Sequence, residues 1–263
     1  MSALVFDKVR VSFGHGARKF TAVHDVSLRV PAGRSVGLVG ESGSGKSTLA
    51  RAAVGLCEPR SGSIALNGTE LVNARGRALA LRRRVQMVFQ DPSSCLDPRM
   101  SVGASLVEAI RAAERRDRRP GTVAGRSAQI AGLLESVQLP SAKAAEYPGA
   151  LSGGQRQRVA IARALAAEPA FILADEITSA LDVSVQGSVM NLLKELQAER
   201  GFGLLFISHN LAAVHYLCDD VAVLRTGRLV EAGATADVLH TPKQDYTREL
   251  LAAVPRIGEP LFA

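Results

Sequence analysis

The chain contains no tryptophan, three tyrosines and eight phenylalanines among 263 residues. Proteins that bind single-stranded nucleic acid without sequence preference stack bases on aromatic rings set beside cations. The net charge of +7 is therefore not read as a nucleic-acid surface. Cysteine is equally scarce. Cys57, Cys95 and Cys218 are odd in number and lack metal-ligand spacing, which fits reduced, partly buried thiols of a cytoplasmic protein rather than a disulfide framework or a zinc site. No apolar run approaches the roughly 18–20 residues that span a bilayer, so any pore is expected from other chains. The stretch Met1–Arg10 reads as the start of a strand and lacks the layout of a signal peptide. Neither an internal repeat nor a long low-complexity tract interrupts the chain. Apolar residues, at 47%, are plentiful enough for the core of one α/β body with an inserted lobe.

Arginine far outnumbers lysine, and the densest stretch, residues 111–119, mixes arginines with Glu114 and Asp117. That mixture predicts a solvated helix. The alternative is attraction to anionic lipid, at about 1 kcal/mol per well-placed cation.

Residues 40–48 read Gly-Glu-Ser-Gly-Ser-Gly-Lys-Ser-Thr and fit the phosphate-loop pattern with Gly40, Gly45, Lys46 and Ser47. The context fits as well: an apolar strand, residues 34–39, precedes the loop, and residues 48–56 follow with helical spacing. Glycines let successive backbone N–H groups turn inward, and the helix offers its positive end to the same anion. Gly40, Glu41, Ser42, Gly43, Ser44, Gly45, Lys46, Ser47 and Thr48 are thus the expected phosphate cradle. Lys46 should reach the β- and γ-phosphates, and the Ser47 hydroxyl should ligate Mg²⁺.

Phe171-Ile-Leu-Ala-Asp-Glu176 places two carboxylates at the end of an apolar stretch suited to a buried parallel strand. Ligands bind at that end of open α/β sheets. Asp175 is expected at the Mg²⁺ and Glu176 as the base for the attacking water, a role that contributes about 10²–10⁴-fold.

With these motifs in place, the chain resembles the nucleotide-binding subunit of an ATP-binding cassette (ABC) transporter along almost its whole length. Leu151-Ser-Gly-Gly-Gln155 matches the family signature, and Ser179-Ala-Leu-Asp182 matches the D-loop. Gln90 matches the Q-loop glutamine, His209 the switch histidine, and Phe13 the aromatic ring that stacks on adenine. The resemblance implies ATP and Mg²⁺ as ligands, with Ser47, Gln90 and Asp175 toward the metal. Lys46, Gln90, Glu176 and His209 are the implied catalytic set. Ser152, Gly153, Gly154 and Gln155, with Asp182, would complete the site of an opposing subunit in a head-to-tail dimer. Read alone, Ser-Gly-Gly is a helix cap and turn, and a lone histidine ending a strand is a solvated or capping residue.

A finer resemblance is to the peptide and nickel importer branch, carried by residues 40–51, 86–92, 97–100, 180–186 and 246–255. It implies uptake of oligopeptides or dipeptides, with nickel or another small solute as the alternative. The implied partners are two transmembrane permease subunits, a second and non-identical ATP-binding subunit, and indirectly an extracytoplasmic solute-binding protein. The implied place is the cytoplasmic face of the cell's inner (plasma) membrane. Two departures stand out: Ile177 where the family usually has proline, and Asn210 where it usually has aspartate. Proline would fix φ, so Ile177 is expected to loosen the turn that carries Glu176, while Asn210 removes a charge beside His209.

The expected fold is α/β, a P-loop NTPase of ABC type with a mixed sheet, an antiparallel β subdomain and an inserted helical lobe. Residues 3–13 and 22–30 alternate as half-buried antiparallel strands do, and Asn67-Gly68 and Thr226-Gly227 read as hairpin turns. Residues 1–91 form the first part of the ATP-binding core. The helical subdomain, 92–157, is broken by Pro120-Gly121 and Pro140. The rest of the core is 158–240, followed by a C-terminal extension, 241–263. Two readings from other classes compete: an ABC-type ATPase working off the membrane, and a regulatory nucleotide-binding module that does not turn over. The single phosphate loop and absent zinc cysteines weigh against the first, and the presence of Glu176 and His209 against the second.

Overall fold

A computed structural model describes residues 2–14, 19–179 and 181–253. Ala180 of the D-loop, the segment 254–255 quoted above and the rest of the C-terminal extension lie outside the described residues.

Two long strands, β1 (Ala3–Phe13) and β2 (Phe20–Pro31), pair antiparallel. Their branched and aromatic residues alternate inward, as a half-buried sheet requires. Lys8 and Asp25 break the alternation with φ of 46° and 51°. Register shifts beside them return Val9 and Val26 to the buried face. β4 (Ser61–Leu66) pairs with the other edge of β1 and with β5 (Thr69–Glu70), giving a four-stranded sheet of order β2-β1-β4-β5. Asn67 and Gly68 turn between β4 and β5 with φ of 52° and 76°, the positive values that a two-residue hairpin favours.

The second sheet has the order β10-β9-β3-β8-β7-β6. β3 (Ser35–Val39), β6 (Val85–Val88), β7 (Phe171–Asp175), β8 (Gly203–Ile207) and β9 (Asp220–Arg225) run parallel, and β10 (Arg228–Ala234) returns antiparallel. All five positions of β3, β7 and β8 are buried, as expected of strands covered on both faces.

The two faces of this sheet feed two apolar cores. On one face Val36, Leu38, Phe171, Leu173, Leu205 and Ile207 pack with helix α1 (Lys46–Ala53) and the inner face of the antiparallel sheet. On the other, Val39, Ile172, Ala174, Leu204 and Phe206 pack under helices α3 (Val102–Asp117), α4 (Val123–Ser136), α5 (Gly153–Ala166), α6 (Val183–Arg200) and α7 (Leu211–Leu217). A short helix α2 (Gly76–Arg82) precedes β6, and α8 (Thr235–His240) and α9 (Asp245–Ala252) follow β10.

The helical run between Gln90 and the signature breaks where Pro120-Gly121 and Pro140 stand. Ser101 caps α3 and Thr122 caps α4, each side-chain oxygen accepting a backbone N–H three residues on. In the arginine-rich end of α3, Arg111, Arg115, Arg118 and Arg119 are exposed, as a solvated helix requires, and Arg116 is the exception. The Arg116 side chain is only 2% exposed, donating to both Asp117 oxygens and to the Ala167 carbonyl. Arg84 and Arg119 also reach Asp117, and the Arg116 guanidinium first, then Arg84, holds its carboxyl far below the usual range against the opposing effect of burial. Asp117 pairs with Arg84 before β6, Arg119 with Glu168 after α5, and Glu114 with Arg126 on α4, so ion pairs tie this end of α3 to three neighbours.

Candidate active site

The phosphate loop leaves β3 and enters α1 through two glycines that no other residue could replace without strain. Gly40 has φ of 147°, and a Cβ there would lie 2.0 Å from the Leu224 carbonyl oxygen. Gly45 has φ of 97°, with a would-be Cβ 2.4 Å from the Ala22 oxygen. L-residues rarely adopt such angles. Gly45 caps α1 without a side-chain bond, so the first turn keeps free N–H donors for an anion. Gly227, in the hairpin turn between β9 and β10, donates to the Ser44 carbonyl and accepts from His24. Lys46 is buried, and its Nζ donates to the carbonyls of Gly40 and Glu41 at 2.8 Å each. Burial pulls its pKa below the ordinary lysine value, against the opposing pull of Glu176, Asp175 and Glu41.

Ser47 Oγ donates to Asp175 Oδ1 at 2.7 Å. Asp175 is 3% exposed, and its desolvation outweighs the Ser47 bond, so the carboxyl sits above its usual pKa. A raised, buried carboxylate next to a hydroxyl is a hard-oxygen pair short of a cation. No cluster of three or more His, Cys, Asp or Glu is preassembled among the described residues. One carboxylate and one hydroxyl nevertheless suit Mg²⁺, which keeps several waters and takes further oxygens from phosphates.

Glu176 follows with φ of 48°, a conformation that costs a non-glycine residue roughly 1–3 kcal/mol. Its N–H donates to the Ile207 carbonyl, and its own carbonyl accepts from the N–H and hydroxyl of Ser179. Gln90 Nε2 donates to that same Ser179 hydroxyl at 3.1 Å. On the far side, His209 Nδ1 stands 3.5 Å from Glu176 Oε1. The ends of β6, β7 and β8 thereby bring Gln90, Glu176 and His209 into one chain of contacts around a strained residue.

A cleft of about 390 Å³ opens over these groups, lined by the loop from Ser42 to Thr48 and by Gln90, Glu176, Phe13, Phe20 and Ala22. It can hold a polyphosphate at the helix end with carboxylate and amide groups beside it, and the His209 imidazole stands behind the carboxylate, outside the cleft lining. Comparison with known proteins bears on the same region. A profile of the family described as ABC transporter matches residues 23–179. The chain belongs to the ABC transporter family. It is 46% identical over 232 residues to a putative peptide import ATP-binding protein of Brucella ovis (strain ATCC 25840 / 63/290 / NCTC 10512), covering 88% of this chain and 72% of that one. It is 47% identical over 246 residues to the glutathione import ATP-binding protein GsiA of Escherichia coli (strain K12), covering 92% of this chain but 38% of that longer protein. Among solved structures, the ATP-binding cassette MJ0796, in a dimeric post-hydrolysis state bound to ADP and Pi, superposes with a TM-score of 0.76 at 28% identity. That match covers 88% of this chain and 98% of the other.

The signature of this cassette stands apart from the cleft. Ser152 caps α5 in a reciprocal box, its oxygen accepting the Gln155 N–H while Gln155 Oε1 accepts the Ser152 N–H. Gly153 and Gly154 form the first turn, and a Cβ on Gly154 would come 2.6 Å from Val185 Cγ1 on α6. None of the four lines the cleft. Asp182 is the N-terminal cap residue of α6 but makes no side-chain cap bond.

Both departures from the family pattern are absorbed locally. Ile177 is 2% exposed and packs in the helical core. The turn carrying Glu176 is held by backbone and Ser179 bonds. Asn210 caps α7 by accepting the Ala213 N–H at 3.1 Å, a task asparagine performs as well as aspartate. Phe13, at a strand end where an aromatic ring is usually core, is 46% exposed at the cleft mouth. Two residues escaped the sequence reading. Phe20 pairs with Phe13 across β1 and β2 and lines the cleft beside it, and its place at the head of an alternating strand was the available signal. Tyr246, on α9, has its hydroxyl 3.4 Å from the Glu41 N–H. At a separation of 205 residues it left no local trace.

Proposed function

We propose that the chain is the ATP-hydrolysing subunit of a membrane importer, working on the cytoplasmic face of the cell's inner (plasma) membrane and energising uptake of oligopeptides or dipeptides. The observation that carries the reading is the Gln90–Ser179–Glu176–His209 chain of contacts at the phosphate loop, with the capped signature helix outside the cleft. A site built this way is complete only when a second cassette brings its own signature across. Phe13 stacks on adenine, with Phe20 beside it. Residues 40–48 hold the phosphates, with Lys46 exchanging its carbonyl partners for the β- and γ-oxygens. Ser47 and Asp175, joined by Gln90, would hold Mg²⁺. When bound, that ion neutralises charge on the terminal phosphates. Glu176 takes the proton of the attacking water, and His209 orients that water against the γ-phosphate. From the opposing subunit, Ser152, Gly153, Gly154 and Gln155 cap the nucleotide and Asp182 approaches the interface.

Relatives named for peptide and for glutathione import support a peptide-type cargo over nickel. An exposed groove lined by Leu56, Met87, Phe89, Arg83 and Arg163 adjoins Gln90 and suits docking of a permease. In this reading residues 92–157 turn as a lobe when hydrolysis releases Gln90. The remaining partners are two permeases, a second and non-identical ATP-binding subunit, and indirectly a solute-binding protein.

The deciding experiment is phosphate release with Glu176→Gln alongside the parent. The parent should hydrolyse ATP, and the variant should bind ATP, lose about 10²–10⁴-fold in rate and accumulate as a dimer. Hydrolysis at the parental rate would remove Glu176 from the role of base. Mass spectrometry of proteins co-purified from gently solubilised membranes tests the assembly. Permeases with a second ATPase support the importer, and soluble partners alone favour an off-membrane ATPase.

A further inference from the structure

The helix α9, near the end of the described chain, is fastened to the phosphate loop through one phenol. Tyr246 is 4% exposed, and its hydroxyl accepts the Glu41 N–H at 3.4 Å. The Arg225 guanidinium lies over its ring, 4.6 Å from the centroid, a cation–π contact that fixes the ring plane. Arg225 ends β9, directly after Leu224, whose carbonyl is the atom that Gly40 must pass closely. The helix is in turn held to β10, where Glu231 accepts the N–H groups of Lys243 and Gln244. The Glu41 carbonyl, on the same residue that Tyr246 grips, accepts from Lys46 Nζ at 2.8 Å, as the Gly40 carbonyl does, with the Ser44 hydroxyl a longer acceptor at 3.4 Å. A continuous path therefore runs from α9 through the Tyr246 hydroxyl and the Glu41 residue to the Lys46 ammonium.

We infer that Tyr246 is a positioning residue of the nucleotide site, setting the Gly40–Glu41 turn so that Lys46 meets the β- and γ-phosphates. The inference rests on the proposed role of Lys46 and extends it to a helix outside the phosphate loop. Tyr246 does not line the cleft; it acts on the loop that does. Without the hydroxyl, the Glu41 N–H loses its acceptor and the turn gains freedom that ATP must remove on binding. The effect falls on binding more than on the chemical step, because Glu176, His209 and Gln90 lie on other elements.

The test is Tyr246→Phe, which keeps the ring, its burial and the Arg225 contact and removes only the hydroxyl. A net hydrogen bond of about 0.5–1.5 kcal/mol corresponds to about a 2- to 13-fold change in an equilibrium constant. The KM for ATP should rise within that range with kcat held within about twofold. The Kd of a fluorescent ATP analogue, measured in the Glu176→Gln background, should rise by the same factor. Tyr216→Phe, which removes an exposed hydroxyl bonded to Asn191 on the far helices, is the matched control and should leave KM unchanged. An unchanged KM and Kd in Tyr246→Phe overturns the inference, as does a fall in kcat at constant KM. A rise in KM that Tyr216→Phe shows equally also overturns it, because the loss is then one of general stability. The two readings fail separately: a parent that binds no ATP sinks the proposed function, whereas a parent that binds ATP as tightly as Tyr246→Phe sinks only this inference.

Discussion

Asp175 concentrates the conflict between folding and activity in one carboxyl. Its pKa is raised because burial penalises the charge more than Ser47 and nearby cations relieve it. An unfolded aspartate titrates near 3.9, so the native state holds this proton to higher pH. Stability is therefore lost as pH rises through the unfolded and then the folded pKa, and the loss persists at neutrality. Asp175→Asn should abolish hydrolysis yet raise nucleotide-free stability at pH 7, on the order of 1 kcal/mol. Denaturation curves of parent and variant should draw together near pH 3.5, and a gap independent of pH would contradict the argument. Gly45 is constrained from the opposite side, by space. Gly45→Ala meets both a φ of 97° and a backbone oxygen at 2.4 Å, and it should lose about 2 kcal/mol or more in chemical denaturation.

Hairpins and caps carry the argument at the scale of elements. Thr226 turns between β9 and β10 with φ of 43°, an expensive angle for a branched residue, ahead of the Gly227 that braces the phosphate loop. Thr226→Asn should recover about 1 kcal/mol, read as a higher denaturation midpoint at unchanged slope. Ser152→Ala removes one half of the α5 capping box and should lose about 1 kcal/mol in the same measurement. Much at this scale was legible beforehand. Asn67-Gly68 declares a two-residue turn because its angles need such residues, Thr226-Gly227 is betrayed by its glycine alone, and Pro120-Gly121 marks the break after a helix. Contiguous motifs such as residues 40–48 carry their mechanism in their spacing. What stayed hidden depends on distant chain. Arg116 looks like any surface arginine until Ala167 and Asp117 close around it, Ile177 looks like a defect until the helical core receives it, and Tyr246 gains its meaning only from Glu41.

At the scale of the molecule, the cleft and the capped signature do not meet within one chain, so the proposed cycle requires association. Two copies of the parent, each carrying a net charge of +7, repel at long range, as do copies of Glu176→Gln with one carboxylate fewer, and added salt screens that repulsion over about 8–10 Å near physiological strength. ATP-dependent self-association of Glu176→Gln, followed by light scattering, should therefore strengthen as salt rises from about 50 to 200 mM. Weakening over that range would contradict the argument, because it would mean that the two copies attract electrostatically at the interface. The six-stranded sheet imposes a further condition. Neighbouring residues of one strand, such as Phe171 and Ile172 or Leu205 and Phe206, serve opposite cores. Neither core can melt while the other keeps its shape, because each would pull the shared strands out of register. Heating should accordingly produce one endotherm whose calorimetric and van't Hoff enthalpies agree, with the helical layer and the antiparallel sheet lost as a single cooperative unit.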